Sequence, residues 1–126
     1  MAGYSAKLLD GREIYIPDWP VNVALENLTM AGKYLGTERV INIAELNFAA
    51  VILAIGSSPE PKEAANLVQH FVCQARIDGE KITPGNIDTL FEDGLRTVGE
   101  IFAHVVHSQY SDFFGLGLAR ANSQEA

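Results

Sequence analysis

The stretch Lys7–Pro20, KLLDGREIYIPDWP, limits the folds open to this chain more than any other. Asp10-Gly11 lies between two strand-like runs, Tyr4–Leu9 and Arg12–Ile16. Such a pair signals a tight hairpin, because a type I′ turn needs positive φ at both central residues. The second run alternates, with Ile14 and Ile16 on one face and Glu13 and Tyr15 on the other. A two-stranded hairpin is marginal in water. It must therefore lie on the rest of the chain, or pair through an open edge with another copy or a partner. Pro17 and Pro20 stop the strand around Asp18-Trp19, and the pattern beyond them is helical.

Pro20 suits the first turn of a helix, where its missing N–H costs nothing. The spacing of Val21, Ala24, Leu25, Leu28, Ala31 and Leu35 predicts one buried stripe on a helix that Gly36 ends. Asn42, with Glu45 three residues on, reads as the capped start of a second helix. That helix is apolar all round from Leu46 to Ile55, which places it at the centre of the core. A third helix is predicted from about Glu60 to Ile77, with Ala64, Leu67, Val68, Phe71, Val72 and Ala75 inward. Asp78-Gly79 is another turn. Thr83 and Pro84 open a short helix, and after Gly94 a longer one runs to about Tyr110 on Leu95, Val98, Phe102 and Val105. The expected fold is mainly α, an N-terminal β-hairpin followed by a four- to five-helix bundle. It forms a single domain, 1–126, with a hairpin at 4–16, a helical body at 20–112 and a flexible tail at 119–126.

Composition removes several classes of function. The 126 residues carry a formal charge of -7, and the nine Lys and Arg form no stripe, so neither nucleic acid nor a membrane is an expected partner. The single cysteine, Cys73, allows no internal disulfide and suits a reducing compartment. No segment has the order of a signal peptide. The longest run without charge, Leu46–Ser58, is too short to span a bilayer, which takes about 20 apolar residues. A cytoplasmic location is expected.

Metal chemistry has one candidate set. His70 with Cys73, and His104 with His107, each stand at i, i+3 on a helix, where two side chains can reach one ion. Helical geometry points both pairs away from the apolar stripes, so they read as solvated faces and no metal or other cofactor is expected. No nucleophile elbow, phosphate-cradling loop or His-Glu-x-x-His occurs, and no enzyme is expected. Binding is better supported. The candidate partner-binding residues are Ile14, Ile16 and Trp19 near the hairpin, and Tyr110, Phe113, Phe114 and Leu116 in a late aromatic run broken by Gly115 and Gly117. Two readings stay open for each set: packing against the chain's own helices, or docking on another molecule.

The order of parts resembles the small tail assembly chaperones of tailed bacteriophages and the related baseplate-hub assembly proteins. The matching parts are the hairpin Leu9–Ile16, the Trp19-Pro20 corner and the I-T-P-x-N-I-D-x-L helix start at Ile82–Leu90. The resemblance covers roughly residues 4–114 and brings no catalytic or ligand residue with it. It implies a non-enzymatic protein of the infected host's cytoplasm that binds the tape measure protein, or other phage tail proteins, and keeps its client soluble while the tail tube polymerises. It also implies self-association into a homo-oligomer. A structural tail or baseplate component of the virion, or a phage-encoded inhibitor, is the alternative.

Overall fold

A computed structural model describes the backbone of residues 3–92 and 94–125, and side chains up to residue 115 within them. The chain is mainly helical, with an N-terminal antiparallel hairpin ahead of the helices. Strands β1 (Tyr4–Lys7) and β2 (Glu13–Ile16) form that hairpin. Its turn differs from the predicted one. Leu8 N–H donates to Arg12 O (2.8 Å) and Gly11 N–H to Leu8 O (2.9 Å), and at this turn only Gly11 has positive φ, at 95°. This is a three-residue loop with a glycine bulge, so Asp10 needs no left-handed backbone. The Asp10 carboxylate instead meets Arg12 at 2.5 Å, which holds its pKa below the usual carboxylate range.

The hairpin does not stand alone. Strands β3 (Arg76–Ile77) and β4 (Glu80–Lys81) extend it into a four-stranded antiparallel sheet in the order β1-β2-β3-β4. Ile14 pairs with Ile77 and Tyr15 with Arg76. The second edge of β2 is thus closed within the chain. The turn that allows this is Asp78-Gly79, where both φ values are positive, 48° and 85°. That is the pattern a two-residue primed turn demands. The predicted helix from Glu60 to Ile77 therefore ends early, as α4 (Pro61–Val72), and its last residues become strand. Apolar spacing alone could not separate the two, since Ala75 and Ile77 suit either.

Helix α1 (Val21–Leu35) starts after Pro20 and stops at Gly36, as its sequence predicts. The chain restarts at once as α2 (Thr37–Ala44), so Asn42 lies inside a helix. The cap belongs to Asn47, whose side chain accepts from Ala50 N–H (3.3 Å) at the start of α3 (Phe48–Gly56). Replacing Asn47 by Ala is expected to cost about 1 kcal/mol in denaturant unfolding. Asn42→Ala, on an exposed helical face, is expected to change stability by no more than about 0.5 kcal/mol.

Helix α5 (Ile87–Leu90) follows a turn in which Thr83 and Asn86 exchange side-chain hydrogen bonds to each other's backbone N–H. Arg12 ties this short helix to the hairpin, donating to Leu90 O (2.6 Å) and lying over the Phe91 ring.

The centre of the molecule is α6 (Leu95–Glu125), not α3. Every residue from Glu100 to Val106 is buried, and α6 touches α2, α3, α4 and β2. The backbone stays helical through Gly115 and Gly117, where a break was expected. The tail predicted from 119 onward lies, in its side chains, outside the described residues. Leu95, assigned to the buried stripe, is 88% exposed at the helix start. α3 buries only Ala50, Val51 and Ala54, and its other face meets water. A short helix has neighbours on one side only, so a charge-free sequence does not make it central.

Candidate partner-binding groove

The corner after the sheet is fastened to α6 by polar contacts. Trp19 N–H donates to Gln109 Oε1 (3.1 Å), while Gln109 Nε2 donates to Pro17 O (2.9 Å). One turn of α6 is thereby keyed to the Pro17–Pro20 segment. The Tyr110 hydroxyl donates to Ala24 O (2.7 Å), fixing α1 beside α6, and burial raises its pKa. Trp19 stands edge-on to Phe71 (5.1 Å between centroids) and to Tyr110 (6.1 Å). It is half-buried, so it pins the corner to the helices and still shows one side outward.

Between α1 and α6 lies an open groove of about 340 Å³, lined by Asp18, Trp19, Val21, Ala24, Leu25, Leu28, Ser108, Gln109, Tyr110 and Phe113. Past Leu28 and Phe113 a second recess of about 490 Å³ takes in Gly32, Lys33, Thr37, Val40 and Phe114. From Val21 to Lys33 the two follow about 18 Å of helix axis, or some three turns. Val21, Leu25 and Phe113 are 74%, 57% and 62% exposed. Large apolar groups so exposed on adjacent elements mark an interaction surface more often than a monomer's ordinary skin.

Four of the predicted partner residues are brought together here: Trp19, Tyr110, Phe113 and Phe114. Tyr110 stacks near Phe114, and Phe114 near Phe113. Ile14 and Ile16 are elsewhere. They are 1% and 0% exposed and form the sheet's inner face, so they present no surface to a partner. The Leu116 side chain lies outside the described residues.

Sequence reasoning missed Val21, Leu25 and Leu28 as groove residues by assigning them to the core. The signal was in the small residues of α1. Asn27, Ala31 and Leu35 are the buried ones, and small Ala31 lets the helix approach its neighbours closely. Val21 and Leu25 are turned roughly 80–120° from Ala31, onto the rim.

The histidines correct a second expectation. His104 is buried, and its Nδ1 shares a 2.9 Å hydrogen bond with the Tyr4 hydroxyl. His107 Nδ1 donates to Ala44 O at 2.7 Å. Both face the sheet and α2 rather than solvent, because α6 is covered on several sides. His70 is exposed and Cys73 half-buried at the end of α4, where burial pushes the thiol pKa up. Among the described residues no group of three or more His, Cys, Asp or Glu could hold a metal ion.

Burial, and then the neighbouring His107, hold the His104 imidazole below its ordinary value of 6.5. The unfolded chain therefore takes up a proton at pH values where the folded chain does not, so stability falls as pH drops below 6.5 toward the folded value. In denaturant unfolding between about pH 7 and pH 5, wild type is expected to lose more stability than His104→Gln. Parallel curves would contradict this.

Among the described residues no helix is long and apolar enough to cross a membrane. Fold and groove define a small, mainly helical protein with an open apolar cleft running along two of its helices. The sequence pattern of the phage tail assembly chaperone proteins, TAC, matches residues 10–120, and the chain belongs to that family. No curated protein and no solved structure matches it.

Proposed function

We propose that this chaperone binds an apolar helical stretch of the tape measure protein in the groove between α1 and α6, keeping it soluble while the tail tube assembles. The role is one of binding rather than catalysis, and its place is the cytoplasm of the infected host. The observation that carries the reading is the exposure of Val21, Leu25 and Phe113 along one groove on a member of this family. Amphipathic helices lay their i, i+3/i+4, i+7 side chains into grooves of this kind. Three turns of client would match the run from Val21 to Lys33. The indole Nε1 of Trp19 supports the same reading, being buried in the groove wall with no acceptor among the described residues. A small shift of the ring would offer that donor to a client carbonyl.

The test is co-expression of the full chain with the tape measure protein of the same phage. The client is expected to move from the insoluble to the soluble fraction and to co-purify with the chaperone. An insoluble client, with no complex formed, would overturn the assignment.

A further inference from the structure

The groove between α1 and α6 has a direction, because its two ends differ in charge and in hydrogen-bonding groups. Of the residues lining its two recesses, only Asp18 and Lys33 are charged. Asp18 stands before the first turn of α1 and Lys33 in the last, and both are exposed. Lys33 lies over the Tyr34 ring, and among the described residues neither Asp18 nor Lys33 belongs to an ion pair.

The Asp18 end also carries hydrogen-bond donors that lack acceptors. The indole Nε1 of Trp19 is buried there with no partner among the described residues. Pro20 gives α1 no side-chain cap, and the first turn holds no acid, so no cap takes up the N–H groups that start the helix.

We propose that the client helix lies antiparallel to α1. Its last turn, bearing Lys or Arg, sits at Asp18 and Trp19, and its first turn, bearing Asp or Glu, sits at Lys33. The inference rests on the groove being the client's site, and adds the direction and charge pattern of the occupant.

Hydrogen bonding selects this direction. Inside a helix each carbonyl is already taken by the N–H four residues on, and only the last four are free. The Trp19 donor therefore finds a backbone acceptor at the client's C-terminal end. The reverse placement would bring the client's own free N–H groups against it, donor facing donor. Charge selects the same direction. Helices gather acids in the first turn and bases in the last, where they complement the macrodipole. Antiparallel placement sets those bases on Asp18 and those acids on Lys33, whereas parallel placement opposes like charges at both ends. An exposed ion pair is worth only a few-fold in affinity, so these contacts choose the orientation. The affinity comes from the apolar contact with Val21, Leu25 and Phe113.

Photoreactive residues at positions 21 and 29, both exposed on α1, read the direction during co-expression of the full chain with the tape measure protein. Position 29 is expected to crosslink about eight client residues N-terminal to the crosslinks from position 21. The opposite order, or a mixture of both, would overturn the orientation while leaving the groove occupied. Crosslinks from neither position would remove the groove as the site, and the orientation with it.

A synthetic peptide of the crosslinked stretch tests the charges on the purified full chain. Asp18→Lys is expected to weaken its binding about three- to tenfold at low salt. Exchange of the peptide's last-turn base for Glu is expected to restore binding to that variant. A stretch with no base in that turn, or equal affinities in every combination, would overturn the charge pairing.

Discussion

Phe71→Ala is expected to destabilise the protein by about 3–5 kcal/mol, the largest effect of any single truncation considered. Phe71 is 0% exposed on α4, and its ring meets Trp19 at 5.1 Å and Phe102 at 5.3 Å. It joins the corner after the sheet to the middle of α6. Alanine there leaves a void between elements that are fastened at other points, so collapse relieves little of the loss. The variant also removes a ring that holds Trp19 upright in the groove wall. Trp19 is the only tryptophan in the chain, so its fluorescence reports that wall alone. Denaturant unfolding is expected to show the loss of stability, and the native emission is expected to shift toward the exposed value. A change below about 1 kcal/mol would mean that Phe71 is not the joint between these elements.

The second large effect falls on binding, with the fold spared. Leu25→Asp together with Phe113→Asp sets two carboxylates in the middle of the groove. Both side chains are more than half exposed, at 57% and 62%, so the folded monomer loses little. A client helix would have to bury those charges unpaired, which costs several kcal/mol. Client rescue is expected to disappear while the circular dichroism spectrum and unfolding midpoint stay near wild type. Ile52→Asp on α3 serves as the control, since that residue is exposed at 75% but lies outside the groove. If it abolished rescue while the groove variant did not, the client would belong on α3.

Much of this architecture was legible from local signals. Gly36 ended α1 and Pro20 marked its start because each residue's backbone restriction acts on its own neighbours. The hairpin was legible for the same reason, although its turn type was not. What sequence could not supply was the neighbourhood of each element. The Asp78-Gly79 turn was visible, but its pairing of Ile77 with Ile14 joins positions more than sixty residues apart. α3 read as central because nothing in it is polar, yet centrality depends on how many elements surround a helix. His104 and His107 read as solvated on a helix whose middle proved to be covered all round.

The candidate site divides along the same line. Trp19, Tyr110, Phe113 and Phe114 stood out by residue type, and the fold gathers them into one groove. The contribution of α1 was hidden because Val21 and Leu25 have the spacing of core residues. Only the close approach of Ala31 to the body turns them outward.

Site-specific photo-crosslinking during co-expression with the tape measure protein reads out where the client sits on the chaperone. With a photoreactive residue at position 25 or 113, crosslinks are expected to be confined to one apolar helical stretch of the client. None is expected from position 62 on the exposed start of α4. Crosslinks from position 62 but not from 25 or 113 would place the client elsewhere and contradict the groove as its site.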